Sequence, residues 1–236
     1  MEKSLYSRVL LKLSGETLNN AGETGYDPDS CRFVAERIRS LLEAGVEVAV
    51  VVGAGNLWRG AGAGGEFDRV DADKMGMLAT AMNAITIKNY CNVLGISVLL
   101  QCAIPTGGFL PGYDREKAVA ALESGKLVIF AGGTGNPFFT TDTASVLRAL
   151  ETDCDAVFKA TKVDGIYSAD PRRDPEAVRY DELSYDKAIE RHLKVMDASA
   201  FSLCRDHGLP IVVFDFFTAD LDRVLAGDTS CGTIVR

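Results

Sequence analysis

Val46-Glu47-Val48-Ala49-Val50-Val51-Val52 runs without a break into Gly53-Ala54-Gly55-Asn56-Leu57-Trp58-Arg59-Gly60. A strand with one wet face alternates apolar and polar residues. This run is nearly continuous, so it reads as a parallel strand covered by helices on both faces. Upstream, Asp27-Pro28 supplies a helix N-cap and first helical residue. Val34, Ile38, Leu41 and Leu42 then form one stripe, and Gly45 closes the helix. Another apolar run at 8–13 precedes it, completing a strand-helix-strand unit. The pattern continues downstream, with strands expected at 97–101, 127–131, 156–160 and 210–214 and helices at 73–94, 114–123, 142–151 and 197–207. The expected fold class is therefore α/β, a three-layer α/β/α sandwich with a mainly parallel sheet, formed as a single domain over residues 1–236.

The balance of 33 acidic against 25 basic residues gives a net charge of −8, which argues against a nucleic-acid partner and for small ligands. Six cysteines lack any Cys-x-x-Cys pair, so they read as core residues and not as a zinc site or disulfide framework. The opening apolar stretch Val9-Leu10-Leu11 ends at Lys12, too short for a secretory signal, and the longest apolar runs fall well short of a membrane span. The expected location is cytoplasmic. His192 and His207, the two histidines, neighbour no Ser or Cys in a nucleophile context, which disfavours a His-assisted acyl transfer. Phosphoryl transfer needs no histidine, since it relies on positioning and on charge neutralisation by Lys, Arg, backbone amides and Mg²⁺.

Four segments suit that chemistry. Lys12 with Leu13-Ser14-Gly15 holds an ammonium at a strand end beside free amides, either as a phosphate contact or as a lysine snorkelling from a strand terminus. The Gly53 to Gly60 loop lets amides approach phosphate oxygens and offers Arg59 as a clamp; it is not a P-loop, and the Gly-x-Gly-x-x-Gly at Gly60, Gly62 and Gly65 follows a loop instead of a strand. Gly132-Gly133-Thr134-Gly135-Asn136-Pro137-Phe138-Phe139-Thr140-Thr141-Asp142 joins a strand to a helix N-terminus, where free N–H groups meet anions; Thr141 or Asp142 also suits a plain N-cap, though adjacent aromatics and hydroxyls fit a nucleobase. Lys159-Ala160-Thr161-Lys162-Val163-Asp164-Gly165-Ile166-Tyr167-Ser168-Ala169-Asp170-Pro171 begins at a strand end, and its Tyr167 suits stacking on a base or packing beneath a loop.

In order and spacing these segments, together with Asp73-Lys74-Met75-Gly76-Met77-Leu78-Ala79-Thr80 and Lys194-Val195-Met196-Asp197, resemble the bacterial uridylate kinases of the amino-acid kinase superfamily almost end to end. The resemblance implies a carbamate-kinase-like fold and ATP-dependent, reversible phosphorylation of UMP in pyrimidine nucleotide biosynthesis by an allosteric homohexamer. It implies an ATP site at Lys12, Leu13, Ser14, Gly15, Gly55, Arg59, Thr161, Tyr167 and Asp170. The implied UMP site is Ala54, Arg59, Asp73 on the ribose, and Thr134, Gly135, Asn136, Pro137, Phe138, Phe139, Thr140 and Thr141 around uracil. Lys12, Arg59 and Asp142 would be catalytic, with Mg²⁺ carried on the nucleotide phosphates and no protein metal site. Ala54 departs from the family's usual glycine and disfavours a left-handed backbone there. Two other readings remain at this level: a non-catalytic nucleotide-binding storage or sensor protein on the same fold, and a kinase for a carboxylate or carbamate. Lys12 and Asp142 speak against the first, Asp73 and Phe138-Phe139 against the second.

Overall fold

The computed structural model describes residues 4–20, 22–58, 67–171, 173–191, 193 and 195–236. Its strands are β1 (Arg8–Leu13), β2 (Glu47–Val52), β3 (Val98–Cys102), β4 (Leu127–Ala131), β5 (Ala156–Thr161), β6 (Ile166–Tyr167), β7 (Arg179–Tyr180), β8 (Glu182–Leu183), β9 (Ile211–Asp215) and β10 (Gly232–Val235). Its α-helices are α1 (Pro28–Glu43), α2 (Arg69–Val93), α3 (Arg115–Glu123), α4 (Thr141–Glu151), α5 (Tyr185–Glu190), α6 (Ala198–His207) and α7 (Leu221–Leu225). Among the described residues one sheet runs β3-β4-β2-β1-β5-β9-β10-β8, with β6 and β7 as a separate hairpin. Only the β9–β10 pairing in the large sheet is antiparallel. The expected α/β fold with a mainly parallel sheet is what forms, and the six expected strands lie within a residue of their predicted ends.

Two apolar clusters sandwich the sheet, and the two-residue period of each strand sorts side chains between them. Val9, Leu11 and Leu13 of β1 face the cluster that includes α1 and much of α2, whereas Leu10 faces the cluster built with α3, α4 and α6. In β5, Phe158 and Ala160 take the first face and Val157 the second. Lys12 follows Leu10, and Lys159 follows Val157, so both lysines belong to the α4 face. Five of the six cysteines are buried, and all six are free thiols. Among the described residues no helix is long and apolar enough to cross a membrane.

Topology sets where a ligand goes. From β1 the chain moves to β2 on one side, and from β5 to β9 on the other. The β1/β5 boundary is therefore a switch point, and its crevice opens at the carboxyl ends of the strands. At α2 and α4 the capping residue differs from the sequence reading. α2 begins at Arg69 because the Asp68 carboxylate accepts hydrogen bonds from the amides of Val70 and Asp71, which puts Asp73 in the second turn and not at the helix start. α4 is capped by Thr140, whose hydroxyl accepts from the Asp142 amide, and by neither Thr141 nor Asp142.

Candidate active site

Lys12 and Lys159 are register partners on the adjacent parallel strands β1 and β5, at the carboxyl end of each. Asp142, in the first turn of α4, stands between their head groups. Lys159 Nζ donates to Asp142 Oδ2 at 2.7 Å. Lys12 Nζ forms an ion pair with Oδ1 at 2.7 Å. All three side chains are largely buried, with 12–14% of their surface exposed. Burial alone would raise the Asp142 pKa, yet the two ammoniums outweigh it and hold the carboxyl below its ordinary range. Burial, then the neighbouring Lys12 charge, pushes Lys159 down to about 8 against the opposing pull of Asp142. Two cations thus share one anion, with the Asp197 carboxylate adding a weaker pull on Lys159.

Two cavities flank this triad. One, of about 640 Å³, is lined by Lys159, Thr161, Tyr167 and Asp170 with an apolar floor of Val163, Ile166, Leu193, Val195 and Val213. Tyr167 donates to Asp164 Oδ1 at 2.7 Å, which holds its ring at the rim. The other, of about 260 Å³, is lined by Ala54, Asp73, Thr134, Asn136, Phe139, Thr140 and Thr141, together with Trp58, Arg69, Met77 and Thr80. Lys159 opens on the first cavity, and Thr141, the neighbour of Asp142, on the second, so the triad bridges them.

The second cavity is held open by specific contacts. Asp73 Oδ2 accepts from the Phe138 amide at 2.7 Å and from Arg69 Nε at 2.9 Å. Phe138 has a left-handed backbone, φ 72°, unusual for a bulky residue, and its ring is 65% exposed beside the Arg69 guanidinium. Gly135 does not line the cavity; at φ 78° it packs so closely that a Cβ would stand 2.9 Å from the Ala103 carbonyl oxygen. Pro137 is half-buried. Ala54 is not in the left-handed region, so its methyl fits this loop without backbone strain. Arg59, with Gly60, Gly62 and Gly65, lies outside the described residues, as do His192 and Lys194.

Sequence reasoning did not single out Lys159, Asp197 or Arg69 as site residues. Lys159 was legible only as the start of a basic loop; its role depends on its register with Lys12. Asp197 caps α6 through the Ala200 amide and also accepts from the hydroxyls of Thr140 and Thr143, which fastens the first turn of α4.

A fold with its switch point at a lysine pair, between two cavities, defines a phosphoryl-transfer class, and comparison agrees. The model of the amino acid kinase family matches residues 7–215, and the chain belongs to that family. Within it the chain resembles the uridylate kinases. It is 48% identical to "Uridylate kinase" of Shewanella amazonensis over 99% of this chain and 98% of that protein. It is 49% identical to "Uridylate kinase" of Photorhabdus laumondii over 99% of this chain and 97% of that one. The crystal structure of UMP kinase from Bacillus anthracis superposes with a TM-score of 0.94 at 36% identity, covering 98% of this chain and 96% of that chain.

Proposed function

We infer that this chain is a UMP kinase, transferring the γ-phosphoryl group of ATP to UMP. The single observation that carries the mechanism is the Lys12–Asp142–Lys159 triad at the switch point, with a cavity on either side. In this reading ATP takes the larger cavity, with Thr161, Tyr167 and Asp170 at its wall and Lys12, Leu13, Ser14, Gly15, Gly55 and Arg59 toward its phosphates. UMP takes the smaller one, with its phosphate near the Ala54 amide and Arg59, its ribose on Asp73, and its base within Thr134, Gly135, Asn136, Pro137, Phe138, Phe139, Thr140 and Thr141.

A UMP phosphate oxygen attacks the γ-phosphorus; that bond forms as the bond to the bridging β,γ-oxygen breaks, giving UDP and ADP. No general base is required, because the acceptor oxygen is already ionised. Lys12 and Lys159 neutralise charge on the transferring group, and Asp142 keeps the two ammoniums apart and aimed. Mg²⁺, when bound with ATP, would neutralise phosphate charge. The donor set suits a metal held by the nucleotide, because Asp142 is engaged by both lysines.

The wider reading is of a single domain over residues 1–236, supported by the one large sheet spanning β3 to β8, in a cytoplasmic protein, where free thiols are at home. It includes an allosteric homohexamer acting in pyrimidine nucleotide biosynthesis. Met75, Leu78 and Met82 form an exposed apolar stripe on α2 that suits a subunit contact; a monomer in light scattering would remove the hexamer.

Two outcomes test the site. Asp73→Asn should weaken UMP binding by roughly tenfold or more, the scale of a hydrogen bond to a charged group, with an ATP analogue changed less than about twofold in calorimetry. The reverse pattern would mean the two sites are exchanged. Lys159 loses its charge above pH of about 8, so kcat/KM should fall as pH rises through that value. Lys159→Arg, which stays charged, should abolish this falling limb; an unchanged limb would assign it to another group. The same depression below the ordinary 10.5 means the folded state holds fewer protons than the unfolded chain between about 8 and 10.5, so the Lys159 contribution to stability increases with pH across that window.

A further inference from the structure

Asn83 lies in the middle of α2, outside both cavities, with no exposed surface, and Asn56 beside it is 2% exposed. Their carboxamides pair reciprocally. Asn83 Nδ2 donates to Asn56 Oδ1 at 2.7 Å, and Asn56 Nδ2 donates to Asn83 Oδ1 at 3.1 Å. The remaining amide hydrogens reach main-chain carbonyls: Asn83 Nδ2 donates to Gly53 at 2.7 Å, and Asn56 Nδ2 to Gly25 at 2.8 Å. Every donor of the pair is used, as a buried polar pair requires.

The acceptors of Asn83 are also the atoms on which the first loop rests. A Cβ on Gly15 would lie 2.5 Å from Asn56 Oδ1, 2.6 Å from the Gly53 carbonyl oxygen and 2.7 Å from the Gly55 amide nitrogen. Main chain of the turn after β1 therefore sits directly on main chain of the loop after β2, over the Asn83–Asn56 pair. The backbone of Gly25 is gripped twice, since its amide also donates to the Asn56 carbonyl at 2.9 Å. Asn83 thus holds Gly53 directly and, through Asn56, fixes where Ser14-Gly15 and the chain at Gly25 sit against that loop.

We propose that Asn83 is a positioning residue for phosphoryl transfer, holding the loop that carries the Ala54 and Gly55 amides in register with the Gly15 turn so that donor and acceptor phosphates align. This rests on the kinase reading. Misalignment of the phosphates lowers turnover more than it lowers either affinity, because each nucleotide keeps its own pocket while the in-line geometry is lost, and a displacement of about 1 Å is worth roughly a hundredfold.

The test is steady-state kinetics of Asn83→Ala and Asn83→Ser with Mg-ATP and UMP, well below each variant's melting temperature, with Asn56→Ser in parallel. The expected result is kcat reduced at least about tenfold in Asn83→Ala, both KM values within about threefold of the parent, and a similar loss in Asn56→Ser. Asn83→Ser, which keeps one short donor, should recover part of the loss. A folded Asn83→Ala with kcat within about fivefold of the parent, or a loss appearing only in KM, would overturn the proposal. If Asn83→Ala does not fold, the same kcat criterion applies to Asn83→Ser and Asn56→Ser. The parent in the same assay separates the two readings: a parent inert toward UMP ends the kinase assignment, whereas an active parent with equally active variants ends only this inference.

Discussion

CMP should be phosphorylated at least about a thousandfold less efficiently than UMP, measured as the ratio of kcat/KM with Mg-ATP as donor. In the segment between β4 and α4, Thr134, Asn136, Thr140 and Thr141 line a cavity of about 260 Å³. It is not a loose loop. The Thr134 hydroxyl and Asn136 main chain bond to each other, Asp73 holds the Phe138 amide, and Asp197 holds Thr140. Uracil offers two carbonyl acceptors and an N3–H donor. Cytosine replaces one carbonyl by an amino donor and lacks the N3–H, so a fixed set of partners meets it with opposed donors or unmet acceptors. Leaving buried polar groups unpaired costs about 1–3 kcal/mol each, and two mismatches reach the thousandfold range. Equal efficiency for the two nucleotides would mean that the segment does not read the base.

Lys12→Ala is expected to lower kcat by at least about a hundredfold, the scale of one oriented electrostatic contact to a transition state. The triad carries two ammoniums against one carboxylate. Without Lys12, Lys159 and Asp142 form a neutral pair, and the transferring group loses one of its two ammoniums. The fold should survive, because Asp142 keeps its hydrogen bond from Lys159 through Oδ2. Removing Asp142 is the harsher change, since it leaves two largely buried ammoniums uncompensated. Turnover close to the parent in a folded Lys12→Ala would take Lys12 out of the reaction.

The main body of the fold was legible because its strands are near-continuous apolar runs and its longer helices carry capping residues. The missed elements are short. β6, β7 and β8 have two residues each, and α5 and α7 have six and five, too few for a period to register. β10 is four residues that pair antiparallel to β9 and parallel to the two-residue edge strand β8, a placement that no local pattern announces. In Asp68-Arg69-Val70-Asp71-Ala72-Asp73 three aspartates compete as caps, and only the hydrogen bonds show that Asp68 prevails while Asp73 turns to Phe138 and Arg69. Lys159 illustrates the limit most clearly. A lysine ending an apolar strand says little alone, and its pairing with Lys12, 147 residues earlier, exists only through the β1–β5 register.

The identity of the phosphoryl acceptor decides the assignment most directly. Purified protein with Mg-ATP should be offered UMP, carbamate and aspartate in parallel, with phosphorus NMR following the products. A UMP kinase consumes the UMP monophosphate resonance one for one with ATP, giving UDP and ADP without inorganic phosphate, and forms no acyl phosphate with carbamate or aspartate. An acyl phosphate forming while UMP stays unchanged, or ATP left intact with every acceptor, would contradict the assignment.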